Sequence, residues 1–337
     1  MEEPTAPAQE SKGADADVFM GAVQSLSDER LLLLASSVAE LRPMGYCPGW
    51  SFSCDDASSM PIIQFRHAVW RSCLERRLEK PIVFPWHDGS KFNLYLGNDL
   101  SRPTFIGGCF EPNEFAFIGA FLKPGMAVLD VGANEGLYTV FAAQRVGESG
   151  EVHAFEPSRR EFLRLEANIS LNLFANVRLV PKAVAEARGT TELRICEYGH
   201  EGQNTLGNFA HEVKQSGTQT VEVCSLDEYF AEHGLSRLDF IKIDVEGSEQ
   251  RVLEGAHQTI SRFKPIILLE LNDKALGFQG ASANGVVAFL RECGYTIYNF
   301  SPSSGCLAAS YADPYTDNIV ASHGELDRRY LEHSMIM

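Results

Sequence analysis

The run Met126-Ala-Val-Leu-Asp-Val-Gly-Ala-Asn-Glu-Gly-Leu-Tyr-Thr-Val140 is an apolar strand that enters a glycine-bracketed turn and leaves it as a helix. Such a unit opens a parallel α/β sheet, because parallel neighbours need a crossover and a helix supplies it. The turn is also a ligand site. Gly132 lets the chain bend sharply and Gly136 lets backbone approach a ligand closely. The helix that follows directs unpaired N–H groups and the positive end of its dipole at the turn. Spacing then narrows the ligand. A dinucleotide site reads Gly-x-Gly-x-x-Gly, with a small residue two after the first glycine so that a pyrophosphate can rest on the helix. Here that position is Asn134. The turn suits a ligand without phosphates, held partly by side-chain hydrogen bonds, and S-adenosylmethionine is the common one.

Val152-His-Ala-Phe-Glu-Pro157 reads as a second strand ending in an acid. At that place in a nucleotide-binding α/β fold, two carboxylate oxygens can accept from both ribose hydroxyls, so Glu156 is the expected ribose ligand. An isolated strand-end glutamate is ordinarily just solvated. Its position one strand past a glycine turn argues for the ligand.

From residue 127 strands and helices alternate. The expected strands are Ala127–Val131, Glu151–Phe155, Val177–Pro181, Phe240–Asp244, Ile266–Leu271, Thr296–Phe300 and Asn318–Ala321. No clear helix separates the last two, so they are expected to pair antiparallel, giving seven strands with one reversed beside the edge. Two alternating stretches, Thr191–Cys196 and Gln219–Cys224, predict a hairpin insertion at 190–223 that reaches over the binding face.

The first 110 residues have a different texture. Residues 1–23 are rich in Glu, Ala, Pro, Ser and Asp and predict a disordered acidic tail. In the accessory region, 24–110, Ser27 starts a helix over Leu31–Leu41 that Pro43 and Gly45 end. A second helix runs from Ile62 to Leu78, Tyr46–Met60 is irregular, and Ile82–Phe84 with Phe92–Leu96 make a hairpin. This region is expected to help form the substrate pocket. Its aromatics, Trp50, Phe52, Trp70 and Trp86, are most simply core. The domain at 111–337 begins with a helix over Glu111–Leu122.

Composition excludes several partners. Of 337 residues, 45 are acidic and 29 basic, and a net charge of −16 repels phosphate backbones and anionic lipid headgroups, so neither nucleic acid nor a membrane is expected. Met1-Glu-Glu-Pro4 has no basic start or apolar core, and the longest greasy run, Leu31–Ala35, is too short to span a bilayer. A cytoplasmic protein is expected. Its 8 cysteines form no Cys-x-x-Cys pair and read as reduced thiols.

The other dense cluster is Leu238-Asp-Phe-Ile-Lys-Ile-Asp-Val-Glu-Gly-Ser-Glu249. Strand alternation puts Lys242, Asp244 and, if extension continues, Glu246 on one side, with Ile241 and Ile243 on the other. Ionisable groups in a strand buried on both faces are costly unless paired or used, and Asp244 falls at the carboxyl end where open α/β sheets bind ligands. The plain alternative is a structural Lys242–Asp244 ion pair with Glu246 capping a helix near Gly247.

Together, Val128-Leu-Asp-Val-Gly-Ala-Asn-Glu-Gly-Leu-Tyr-Thr139, Ala154-Phe-Glu-Pro157, Ile241-Lys-Ile-Asp-Val-Glu-Gly-Ser-Glu249 and Val252-Leu-Glu-Gly-Ala256 resemble the FkbM-type family of S-adenosylmethionine-dependent methyltransferases. Phe110-Glu-Pro112 and Leu226-Asp227 extend the likeness, which covers roughly residues 104–300 and none of the first hundred. The resemblance implies a class I methyltransferase, Rossmann-like α/β fold with helices on both sheet faces. It implies methylation of hydroxyl oxygens on polyketides, sugars or other secondary metabolites, leaving S-adenosylhomocysteine. Carried over, Asp130, Gly132 and Asn134 surround the methionine and ribose portions. Glu156 takes the ribose, and Asp244 lies nearest the reacting centre. Glu111 either helps close the cofactor pocket or favours its helix dipole as a first-turn acid.

An aliphatic alcohol loses its proton as the new bond forms, so a base is expected. Asp244 is the first candidate and Glu246 the second. Lys242 either lowers the pKa of a bound hydroxyl or neutralises Asp244, and His200 is a loop candidate. Mg²⁺ held by Asp244, Glu270 and Asn272 ranks below a metal-free site. A nicotinamide-dependent oxidoreductase and a non-catalytic cofactor-binding interaction protein are the competing readings. A homodimer is left open.

Overall fold

The computed structural model describes residues 14–39, 60–108, 110–301, 305–310 and 317–331. They fall into two units, one of the described residues up to 85 together with those of 93–110, and the other of 86–92 and the described residues from 111 on. Among the described residues no helix is long and apolar enough to cross a membrane.

Among its described residues the first unit holds α1 (Ala14–Gln24), α2 (Asp28–Val38) and α3 (Met60–Arg76). Helix α1 corrects the expectation of disorder up to residue 23. Its Phe19 meets Phe65 of α3 edge-on at 5.6 Å, a tertiary contact that polar composition does not reveal. Residues 1–13 of the expected tail lie outside the described residues. So do Pro43, Gly45, the irregular segment before Met60, Trp50 and Phe52. Ser27 caps α2 by accepting the Arg30 N–H at 3.4 Å. Strands β1 (Ile82–Pro85) and β2 (Lys91–Leu94) pair as the expected hairpin.

The second unit opens with α4 (Pro112–Phe121) and then alternates. In chain order come β3 (Ala127–Val131), α5 (Leu137–Val146), β4 (Glu151–Phe155), α6 (Arg159–Asn172) and β5 (Val177–Val180). Next are β6 (Ala183–Val184), β7 (Gly189–Cys196), β8 (Gln215–Cys224), α7 (Leu226–His233) and β9 (Phe240–Ile243). Then follow α8 (Glu249–Glu254), α9 (His257–Phe263), β10 (Ile266–Leu271), α10 (Asp273–Gly277) and α11 (Ala283–Glu292). Strands β11 (Thr296–Phe300), β12 (Leu307–Ala309) and β13 (Asp317–Ser322) complete it.

The main sheet runs β12-β11-β13-β10-β9-β3-β4-β5. Its parallel strands extend both ways from β3, so right-handed crossovers place helices on both faces. Strand β13 is antiparallel between β10 and β11, as expected. The sheet has eight strands instead of seven, because β12 adds itself antiparallel to β11 at the edge. Its short Leu-Ala-Ala stretch carries no alternation to read. The insertion forms a separate sheet, β6-β8-β7, whose hairpin begins earlier on both strands than its apolar pattern implied.

Alternation sorts the core from the site. Leu129, Val131, Ile241, Ile243, Ile267 and Leu269 pack with Val252, Leu253, Ile260 and Val287 of the helices on one face. Asp130 and Lys242 sit in register on the opposite face, and Glu270 is paired in register with Asn318.

Candidate active site

Lys242 is buried, and its Nζ lies 2.9 Å from Asp244 Oδ2, 3.2 Å from the Gly132 carbonyl, 4.0 Å from Asp130 Oδ1 and 4.9 Å from the centre of the Tyr138 ring. Burial disfavours the ammonium, but the charges of Asp244 and Asp130 outweigh it and keep Lys242 protonated. Asp130 is buried; its Oδ2 accepts from Thr139 Oγ1 at 2.5 Å, tying β3 to the first turn of α5, while its Oδ1 has no hydrogen bond.

Asp244 follows β9 and meets Glu270 at the end of β10. Burial works to raise the Asp244 carboxyl, yet Lys242 and a hydrogen bond from Glu270 prevail and hold it below the ordinary Asp value. The charge of Asp244 and then burial push Glu270 well up, so Glu270 is the protonated partner. Across the sheet, Asn318 Nδ2 donates to Glu111 Oε1 at 3.2 Å and to Glu114 Oε1 at 3.1 Å, and the Tyr138 hydroxyl donates to Glu111. Polar groups therefore line the carboxyl ends of β3, β9 and β10 and the amino end of the antiparallel β13 beside them.

The glycine turn packs against these groups. Gly132 has φ 81°, and an added Cβ would lie 1.8 Å from the Asp244 carbonyl oxygen, so backbone contact excludes any side chain. Gly136, at φ 96°, opens instead toward Leu165 of α6, 2.5 Å from where its Cβ would be. Its small size thus serves helix packing as well. Asn134 has φ 50°, which suits asparagine. Glu156 grips the turn, with Oε2 accepting from Asn134 N at 2.8 Å and Oε1 from Ser158 N at 2.7 Å. Each oxygen keeps a second lone pair for a diol. Burial and the charge of Glu161 push Glu156 up to about 8.

Glu249, not Glu246, organises the start of α8. Glu249 Oε1 accepts from Val245 N at 3.2 Å and Gly247 N at 3.0 Å, while Glu246 sits at φ 51° with its carbonyl accepting from Thr205 Oγ1 at 2.7 Å. Carboxylate oxygens of Asp244, Glu246 and Glu270 come within 4.8 Å of one another. Asn272 is not with them, since its side chain caps α10 through Lys274 N and Ala275 N. Lys242 already supplies a cation to Asp244 Oδ2 in this cluster, and Mg²⁺ there would compete with that ion pair. Thr205 and Glu201 belong to the insertion, and Asn134 Nδ2 donates to the Glu201 carbonyl at 3.5 Å, so this loop touches the turn. His200 precedes Glu201 there.

Several contributors have no local signal. Tyr138, Glu249 and Asn318 read as ordinary helix or strand residues until chain segments far apart are brought together. Asp227 of the Leu226-Asp227 pair has a structural task, accepting from Gln258 N and Thr259 N to cap α9. Glu135, buried beneath the turn, is ion-paired to Arg164 at 2.5 Å.

For S-adenosylmethionine the residues fit: a tight glycine cradle, a diol-ready Glu156, a buried Asp130 oxygen without a hydrogen bond, and carboxyl groups suited to ammonium and sulfonium charge. Residues 130–297 match the Methyltransferase FkbM domain, from Asp130 in β3 to Ile297 in β11. The chain is similar to 31-O-demethyl-FK506 methyltransferase FkbM of Streptomyces tacrolimicus, 29% identical over 224 residues, covering 59% of this chain and 81% of that protein. It is similar to the 2-O-methyltransferase NoeI of Sinorhizobium fredii, 26% identical over 166 residues, covering 46% of this chain and 66% of NoeI. It is also similar to the AMB antimetabolite synthetase AmbE of Pseudomonas aeruginosa, 28% identical over 220 residues, covering 56% of this chain and only 10% of AmbE. With the glycine turn, the strand-end acids and the mostly parallel sheet all inside or beside the matched segment, the chain belongs to the FkbM family of S-adenosylmethionine-dependent methyltransferases.

Proposed function

We propose that the protein transfers a methyl group to a hydroxyl oxygen of a small molecule of the sugar or polyketide class. The observation that carries this reading is the acid-rich ring at the strand ends. Glu111, Glu114, Asp130, Asp244, Glu246 and Glu270 gather with Lys242 where a cofactor would lie. Such a surface attracts an ammonium and a sulfonium and repels a pyrophosphate, which favours a sulfonium donor over a nicotinamide dinucleotide. The FkbM and NoeI relatives are named as methylating oxygen or an O-demethyl substrate, which supports a hydroxyl acceptor.

Gly132 and Asn134 would hold the methionine end, Asp130 its ammonium and Glu156 the ribose diol. Bound there, S-adenosylmethionine supplies an electrophilic methyl on a good leaving group. The protein's own contribution is alignment and proton removal, and alignment can be worth ~7–11 kcal/mol. Lys242 holds Asp244 and the Gly132 carbonyl in place, so the β3 turn and the β9 end move as one unit.

The test is transfer of isotope-labelled methyl to a panel of monosaccharides, hexuronic acids and 31-O-demethyl-FK506, with amine and thiol analogues beside them. Label is expected on oxygen. Label only on nitrogen or sulfur would overturn the hydroxyl assignment, and tight donor binding with no transfer to any class would favour a non-catalytic binder.

A further inference from the structure

We infer that Glu111 is the proton acceptor of the reaction, with Tyr138 and Asn318 positioning its carboxylate. This rests on the hydroxyl-methylation reading above. Asp244 is ill suited to the task, because a carboxylate bonded to Lys242 at 2.9 Å and to the protonated Glu270 is a weak base. Glu246 shares its small volume with both of those acids.

Glu111 differs in backbone and in partners. It is the N-cap of α4, where an acid would ordinarily accept from the helix N–H groups, yet its side chain makes no capping bond. Its backbone stands at φ 38° and ψ 64°, a left-handed conformation that a non-glycine residue adopts only under strain. That geometry turns the carboxyl inward, onto Tyr138 and Asn318. Each oxygen accepts one bond from these neighbours and retains a lone pair for a substrate proton. The helix-dipole role considered for Glu111 does not account for this direction.

The groups facing Glu111 are Glu114 on its own helix, Tyr138 on α5, Lys242 and Asp244 from β9 and its end, and Glu270 on β10. Burial and Glu114 push its carboxyl up, while the Tyr138 bond and Lys242 restrain it, leaving it at about 7. A base works best with a pKa near the working pH.

The step balances. The acceptor O–H bond breaks and its proton goes to the Glu111 carboxylate. The O–CH₃ bond forms as the donor's C–S bond breaks, and that electron pair stays on sulfur, which becomes a neutral thioether. Glu111 then returns the proton to water.

The full chain tests this in two readings. With S-adenosylhomocysteine bound, infrared titration should show a carboxylic acid ionising near pH 7 that is lost in Glu111→Gln and moved upward in Tyr138→Phe. With S-adenosylmethionine and the panel probe that takes label, Glu111→Gln should lower turnover by roughly 100-fold or more and abolish its rise with pH, with S-adenosylhomocysteine affinity retained. Wild-type turnover in Glu111→Gln would overturn the proposal. So would a pH rise that persists in Glu111→Gln but vanishes in Glu246→Gln or Asp244→Asn. A wild-type protein that binds no donor would defeat the proposed function instead, and infrared titration of the unliganded chain would still read Glu111.

Discussion

The carbonyl oxygen of Asp244 lies 1.8 Å from the point a Cβ on Gly132 would occupy, so the β9 end is pressed directly on the turn after β3. The obstacle is backbone and cannot swing away. Gly132→Ala, which also strains φ 81°, should lose at least ~2 kcal/mol in urea unfolding and most of its affinity for S-adenosylhomocysteine. Unchanged unfolding and affinity would show that the two strand ends are free to separate.

Lys242 is the cation between two carboxylates, Asp130 and Asp244, and its loss would leave the buried Asp130 and the partly exposed Asp244 without it. Lys242→Met should cost about 3–5 kcal/mol of stability. Adding Asp244→Asn should restore part of it, because one of the stranded charges is then removed. A double variant no more stable than the single one would place the coupling elsewhere.

Alternation in strands made the main lines of this site legible. A period of two separates Asp130 and Lys242 from Leu129 and Ile241 with no knowledge of the fold. Glu156 was legible for the same reason, as the acid that ends a strand one crossover after the turn. What stayed hidden depends on contact between distant segments. Glu270 shows in the sequence as a strand-end acid, but its hydrogen bond to Asp244 needs β9 beside β10, and Asn318 means nothing without α4. The packing role of Gly136 is hidden in the sequence because Leu165 of α6, which fills the space next to it, lies far along the chain. Helix α1 escaped notice because a short amphipathic segment is stabilised by packing on α3 more than by its own composition. Strand β12 is too short to show a period at all.

Acid groups raised by burial make stability depend on pH in a definite direction. Burial is the first cause for both Glu156, pushed up to about 8, and Glu249, pushed up to about 7. Between the ordinary glutamate range near ~4.3 and those values the folded state binds more protons than the unfolded one. Stability is therefore fully present below that window and falls as pH rises through it. The unliganded protein should lose ~1 kcal/mol or more between pH 5 and 8, and Glu156→Gln should flatten part of the slope. A stability that climbs over the same interval would mean that both carboxyls are ionised when buried.

The most direct measurement is calorimetric titration of the purified chain with S-adenosylmethionine, S-adenosylhomocysteine and NAD, repeated on Glu156→Ala. Both sulfur compounds should bind and NAD should not, and Glu156→Ala should weaken them by roughly tenfold or more through loss of the ribose contact. Binding of NAD alone, or sulfur-compound affinity untouched by Glu156→Ala, would contradict a sulfonium donor held at the Gly132 turn with Glu156 on its ribose.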